Sequence, residues 1–239
     1  MAASLSSTLS AEMLPRPPTI LLDLDGTLID SAASIKASCG AALQALGHSP
    51  PPFLDLSGLI GPPIEDVMRN LLVRYGDDRV PEAVAAYRAD YGERGLFGSA
   101  LYPGIVGALE SMRNAGARLF IATSKRQRFA VQIIEHLDLA GLIDAIHGSQ
   151  DDGTLNQKPE LIAHVIAKQG IEARCCVMVG DRKHDIFGAR ANSVRSLGVL
   201  WGYGTREELE AAGASDIIAQ TSALAHAALA QANGSFLQC

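Results

Sequence analysis

Leu21-Leu22-Asp23-Leu24-Asp25-Gly26-Thr27-Leu28 is the stretch on which the fold of this chain turns. The apolar run from Thr19 to Leu22, continued by Leu24, has the composition of a buried parallel strand, and Gly26 marks its end. Asp23 and Asp25 are separated by a single residue, so on an extended strand they share a face and project together where it ends. Two carboxylates 4 Å apart repel by roughly 4 kcal/mol at an effective dielectric of about 20. Such a pair persists in a partly apolar site only beside a cation, a shared proton or a basic side chain. The alternative is a plain turn, in which Asp25-Gly26 simply ends the strand.

Working outward, the 239 residues are 48% hydrophobic and 19% charged, enough apolar material for a sizeable core and unlike a disordered chain. The formal charge of −6, from 20 basic and 26 acidic residues, includes no basic block, which argues against a nucleic-acid partner. No run of about 18 apolar residues is present, so no membrane span is expected. Cys39, Cys175, Cys176 and Cys239 do not form a disulfide framework or a zinc pattern. Adjacent Cys175 and Cys176 are expected on one strand, as small core residues in a reducing, cytoplasmic compartment. Residues 1–17, rich in Ser, Ala and Pro, are expected to be a disordered tail without the apolar segment of a secretory signal, and residues 233–239 a second tail.

After Ser31 the pattern turns helical. Ile35, Cys39, Ala42, Leu43 and Leu46 predict a first helix, stopped by Gly47. A Pro-rich loop at 50–52 leads to a second helix carrying Ile64, Val67, Met68, Leu71, Leu72 and Tyr75. A third opens at Pro81 and carries Val84, Tyr87 and Tyr91. Residues 31–99 therefore read as an all-helical insert. From Tyr102 onward helices and strands alternate, with strands expected at Ala117–Ala122, Ile143–Ile146, Cys175–Val179, Ser196–Trp201 and Ile217-Ile218. Thr205-Arg206-Glu207-Glu208 reads as a capping box before a short helix. The expected fold is α/β: a Rossmann-like, doubly wound parallel sheet made of residues 18–30 and 100–232, with a helical cap domain inserted at 31–99.

In such sheets ligands gather beyond the carboxyl ends of the strands, where Asp23, Thr123 and Asp181 each follow an apolar run. The motif Asp23-Leu24-Asp25-Gly26-Thr27 resembles the DxDGT nucleophile motif of the haloacid dehalogenase superfamily. Its companions follow in that family's order: Thr123 at a strand end, Lys158-Pro159, and Gly180-Asp181 with Asp185 four residues on. The resemblance extends over roughly residues 18–230 and is strongest to the phosphoglycolate phosphatase and bacterial 5′-nucleotidase-like branch.

That resemblance implies a phosphatase in which Asp23 attacks phosphorus to form an aspartyl-phosphate, acting on a small phosphorylated metabolite such as a phosphoglycolate- or nucleotide-like ester. Asp25 would protonate the leaving alcohol and then activate water. Asp23, Asp25 (through its main-chain carbonyl), Asp181 and Asp185 are the expected metal site, with Asp181 a direct ligand and Asp185 orienting a ligand or bound water. Their oxygen-only character suits Mg²⁺. Thr123 and Ser124 are expected to open a helix and meet a phosphate oxygen there. Lys158 would neutralise the transferred phosphoryl group and the acids. Leu161 stands where phosphoglycolate phosphatases usually carry a second proline, which weighs against glycolate phosphate. Lys125 and Arg126 are candidate phosphate neighbours; Arg182 and Lys183 are expected in solvent, and His184 on the surface or behind the ligands. The insert would act as a mobile cap, with Gly61–Ile64 facing the leaving group and Arg69, Arg88 and Arg94 as unassigned contacts. A sugar phosphomutase using the same Asp, a metal-free dehalogenase and a non-catalytic phosphometabolite sensor are the alternatives. The chain is expected to be a monomer or homodimer.

Overall fold

The computed structural model describes residues 16–51, 54 and 58–233. The expected tails lie outside the described residues, except Arg16, Pro17 and Asn233, as does Pro52 of the Pro-rich loop. Strand β1 spans Thr19–Leu22 as read from its apolar run. Two short strands, β2 (Ile29–Asp30) and β3 (Ala100–Leu101), pair antiparallel and form a ribbon at the two ends of the helical insert. Between them lie α1 (Ala32–Ala45), α2 (Ile64–Val73), α3 (Val80–Asp90) and a π-helical turn at Tyr91–Gly95. Gly47, just past α1, has φ +89° and suits a helix stop.

After the insert come α4 (Ile105–Asn114), β4 (Arg118–Arg126), α5 (Gln127–His136), β5 (Ala145–Ser149), α6 (Lys158–Gln169), β6 (Cys176–Gly180) and α7 (Lys183–Ala191). The chain closes with β7 (Arg195–Val199), α8 (Arg206–Ala212), β8 (Asp216–Ile218) and α9 (Leu224–Asn233). Six strands form one parallel sheet in the order β5-β4-β1-β6-β7-β8. The order reverses direction at β1: the chain builds outward through β4 and β5, then returns to the other side of β1 with β6. Ligand crevices form at such switch points.

The strands alternate between two apolar layers, as a period of two demands. Ile20 and Leu22 pack with Leu109 of α4, Ile133 of α5 and Leu224 of α9; Leu21 packs with Leu161, Ile162 and Val165 of α6 on the opposite face. Each aliphatic side chain so buried contributes about 1.5–3 kcal/mol relative to exposure.

Several strand boundaries differ from those expected; β5, for one, runs Ala145–Ser149 and not Ile143–Ile146, because its ladder partners on β4 are Phe120 to Arg126. β4 runs on through Thr-Ser-Lys-Arg because Thr123 still pairs with Gly148 and Arg126 with Ser149, across a bulge. Polar composition hid this, since the ladder partner lies in β5 and not nearby in sequence. Cys175 ends a 3₁₀ turn, Ala173–Cys175, and only Cys176 is on the strand; both are buried, as is Cys39. Trp201 lies beyond β7 and donates its indole N–H to the carbonyl of Thr27 at 3.0 Å.

Candidate active site

β1 delivers Asp23 to the carboxyl edge of the sheet, where its backbone N–H still bonds the carbonyl of Val179 at 2.9 Å. On the neighbouring strand β6, Asp181 follows Gly180, and Asp185 sits in the first turn of α7. Asp23, Asp181 and Asp185 each offer a carboxylate oxygen within 4.8 Å of the others, and all are buried. Thr27 Oγ1 donates to Asp181 Oδ1 at 3.3 Å, and the backbone N–H of Tyr203 to Asp181 Oδ2 at 2.7 Å. Asp185 Oδ2 accepts from the backbone N–H of Arg182 at 3.1 Å, which caps α7. Gly26, at φ +82°, admits this packing: a Cβ there would collide with the Asp181 carboxylate.

Lys158, the first residue of α6, reaches the cluster from the far face of the sheet. Its Nζ lies 2.8 Å from Asp23 Oδ1 and 2.6 Å from Asp185 Oδ1, and donates to the carbonyl of Ala122 at 2.8 Å. At 2% exposure it is not a solvated lysine. Burial would lower its pKa, but Asp185 and Asp23 hold it above the usual lysine value. Burial, joined by the charges of Asp185 and Asp25 and opposed by Lys158, lifts Asp23 to about 6. Burial, with Asp185 and Asp23 close by, also pushes Asp181 well above the carboxylate range.

Three carboxylates therefore face one ammonium. Asp23 Oδ1 and Asp185 Oδ1 are buried with no aligned hydrogen bond, although each is within ion-pair distance of Lys158. Oxygen-only donors, convergent and short of positive charge, fit a hard divalent cation. The Asp25 side chain is not part of this cluster. It turns to Lys125, whose Nζ lies 2.9 Å from Asp25 Oδ1, and to Ser31, whose hydroxyl donates to the same oxygen at 2.5 Å. So the Asp23–Asp25 pair is accommodated by two separate lysines.

Asp23, Asp25, Thr123, Ser124 and Lys125 line one pocket, which the insert covers with Leu59–Pro62, Ile64, Glu65, Tyr87, Arg88 and Tyr91. Thr123 is there at the strand end as expected, but neither it nor Ser124 opens a helix. α5 begins at Gln127, and Thr123 Oγ1 accepts from the backbone N–H of Lys125 at 3.2 Å. Among the three insert arginines, Arg88 lines the pocket and pairs with Glu65 at 2.6 Å, whereas Arg69 and Arg94 are exposed and pair with Asp66 and Asp90. Leu161, at the position of the second proline, is buried beneath the sheet and does not line the pocket.

Arg182 is the largest departure from expectation. It is 2% exposed, donates to the carbonyls of Gly58 (3.0 Å) and Ile60 on the insert, and pairs with Glu208 at 2.8 Å. Glu208 is diverted by this pairing, so the expected capping box at α8 has only its Thr205 arm, a bond from the Glu208 N–H at 3.2 Å. Ser31 and Tyr203 carry no signal in the sequence, and the partners of Lys125 and Arg182 could not be read from it, because Tyr203 lies 172 residues from Ser31, Lys125 100 from Asp25 and Arg182 124 from Gly58. The local signals are that Lys125 lies two residues past Thr123 and that Arg182 is next to Asp181.

Residues 20–199 match the family model described as haloacid dehalogenase-like hydrolase. The chain belongs to that family. It is similar to a 5′-nucleotidase from Pseudomonas aeruginosa, with 39% identity over 87% of this chain and 94% of that protein. It also resembles the tyrosine-protein kinase PtkA of Mycobacterium tuberculosis, at 37% identity over 81% of this chain and 66% of that one. Among solved structures, a predicted phosphatase from Clostridium acetobutylicum superposes with a TM-score of 0.83 at 35% identity, covering 89% of this chain and 98% of that one. As a haloacid dehalogenase-like hydrolase, the chain brings the Asp23–Thr27 motif, Lys158 and the Asp181/Asp185 pair to one sheet edge. Among the described residues no helix is long and apolar enough to cross a membrane.

Proposed function

We propose that this chain hydrolyses a small phosphomonoester, of nucleotide- or phosphoglycolate-like size, through a phosphoryl group carried on Asp23. The observation that supports this most directly is the placing of Lys158 Nζ against both Asp23 and Asp185, with Asp181 beside them. Asp23, Asp181 and Asp185 are the residues that would hold a divalent ion, Mg²⁺ by the chemistry of its oxygen donors. Such an ion supplies the positive charge that lets an anionic nucleophile and an anionic phosphoryl group approach.

The residues of the chain perform the remaining work. Lys158 holds Asp23 in place and balances negative charge on the phosphoryl oxygens. Asp23 forms a bond to phosphorus as the ester P–O bond breaks, and Asp25 gives its proton to the departing oxygen. In the second half, Asp25 takes a proton from water as that water's oxygen bonds phosphorus and the Asp23–phosphorus bond breaks. Thr123 and Ser124 offer hydroxyls at the strand end for a phosphoryl oxygen. The helical insert, residues 31–99, serves as a mobile cap that excludes water and selects the leaving group. Its contribution to the pocket is largely apolar, from Leu59, Ile60, Pro62 and Ile64, with the Glu65–Arg88 pair as its polar element. This lining suits a leaving group with an apolar body and a hydrogen-bonding edge, and the likeness to a 5′-nucleotidase agrees with it.

The test is phosphate release in Mg²⁺ from nucleoside monophosphates, glycolate phosphate, sugar phosphates, phosphotyrosine and p-nitrophenyl phosphate. Release from at least one natural ester and from p-nitrophenyl phosphate is expected. A folded protein that frees no phosphate from any of them refutes the proposal. Conversion of β-glucose 1-phosphate to glucose 6-phosphate without release would replace it with the mutase reading.

A further inference from the structure

Asp25 is held by Ser31, at the start of the helical insert, and by Lys125 of β4, which also reaches Tyr91 near the insert's other end. Ser31 immediately precedes α1 and donates to Asp25 Oδ1 at 2.5 Å. Ser31 is itself tied to the core, since its backbone N–H donates to the Tyr203 hydroxyl at 2.8 Å. On the other side, Lys125 Nζ donates to the same Asp25 oxygen at 2.9 Å and to the Tyr91 hydroxyl at 3.0 Å. That nitrogen also stands 4.6 Å from the centroid of the Tyr91 ring. Tyr91 opens the π-helical turn that ends α3, stacks on Tyr87 at 5.5 Å and tilts against Phe129 of α5 at 5.5 Å. Tyr91 is 1% exposed and the Lys125 side chain 6%, so both are withdrawn from water.

Lys125 thus has two polar partners on different bodies: Asp25 on the core and Tyr91 on the insert. Burial alone would lower its pKa; Asp25 and Tyr91 raise it above the ordinary lysine value, so it stays charged. The bonds from Ser31 and Lys125 both fall on Oδ1 of Asp25, which leaves Oδ2 as the oxygen to carry the transferred proton.

We propose that Lys125 is a positioning residue that couples seating of the insert to the aim of Asp25. With Tyr91 in place, Lys125 is pinned against Oδ1 and Oδ2 is directed toward the departing oxygen. When the insert swings away, Tyr91 leaves, Lys125 loses one of its anchors, and Asp25 loses its fixed aim. Lys125 acts only through Asp25, and the inference rests on Asp25 being the general acid. In the step concerned, the Oδ2–H bond breaks and an O–H bond forms on the leaving oxygen, which keeps the electron pair of its broken bond to phosphorus.

Two esters of matched shape read this directly: p-nitrophenyl phosphate, a good leaving group, and p-methoxyphenyl phosphate, a poor one that needs the proton more. In Mg²⁺, kcat/KM is measured for both, because it reports the step in which the leaving group departs. Lys125→Met is expected to lower the methoxy-to-nitro ratio by roughly tenfold or more, within the roughly 10²–10⁴-fold that general acid catalysis supplies. Lys125→Arg is expected to restore part of it. Tyr91→Phe keeps the ring and loses the hydroxyl, and is expected to lower the ratio by about threefold, one hydrogen bond's worth, with unchanged melting. Equal loss on both esters in Lys125→Met, or an unchanged ratio, overturns the inference. If Lys125→Met gives no cooperative melt, Tyr91→Phe decides alone, and an unchanged ratio there overturns it. Wild type inactive on both esters, or Asp25→Asn with the wild-type ratio, removes Asp25 as the acid and this inference with it.

Discussion

Replacing Asp23 by Asn should inactivate the protein yet stabilise it when no divalent ion is bound. Burial lifts the Asp23 carboxyl from 3.8 to about 6, so in the folded chain its charged form is disfavoured. A group whose folded pKa is raised contributes stability that is full below its unfolded value, here 3.8, and lost as the pH rises through about 6. At about 1.4 kcal/mol per tenfold change in the proton equilibrium, ionised Asp23 costs roughly 3 kcal/mol at pH 8. Asn carries no such charge, while Lys158 keeps its 2.6 Å contact to Asp185. In EDTA at pH 8 the variant should therefore be more stable by about 1–3 kcal/mol, a rise in Tm of roughly 2–10 °C for a chain of this size. The difference should shrink to near zero by pH 4. Saturating Mg²⁺ should reverse the order, because an ion present at about 1,000 times its Kd stabilises the wild type by about 4.1 kcal/mol. Thermal melts across this pH range, with and without Mg²⁺, measure all three. An Asn variant less stable than wild type at pH 8 in EDTA, or a gap independent of pH, refutes the electrostatic account of the site.

Lys158→Met should act in the opposite sense. Removing the cation leaves Asp23 and Asp185 buried without compensation, an expected loss of about 3–5 kcal/mol by urea unfolding at pH 8, along with turnover; a loss below 1 kcal/mol would show that the lysine is not the partner of these acids. Gly26→Ala forces a Cβ into the Asp181 carboxylate. Phosphate release should fall about 100-fold, as for displacements near 1 Å, and a variant of wild-type rate would mean that Asp181 is free to move aside. Arg182→Met removes the bonds to the Gly58 and Ile60 carbonyls. The insert should seat less often, raising KM and hastening limited proteolysis near Gly58, and unchanged cleavage would reject Arg182 as a latch. Chelation should stop turnover and Mg²⁺ restore it; a rate unaffected by EDTA removes the ion from the scheme.

Local patterns made most of the architecture legible. The apolar run before Asp23, the i, i+3, i+4 spacing in α1 and α2 and the alternation after Tyr102 each depend on residues a turn or a strand apart, which a linear reading captures. Strand ends also led to Asp23, Thr123 and Asp181, because a parallel sheet places every strand's carboxyl end on one edge, whereas Lys158 and Asp185, each in the first turn of a helix, came with the family resemblance. Tertiary structure alone decided the partners. Lys125 became the counter-ion of Asp25, 100 residues away, and Arg182 turned from an expected surface residue into a buried link to the insert. Thr123 was carried past its expected helix start because β5 supplied a ladder partner. Hydrophobic periodicity specifies which face of an element is buried, whereas the charge that meets a given carboxylate depends on which crossovers bring distant strands and helices together.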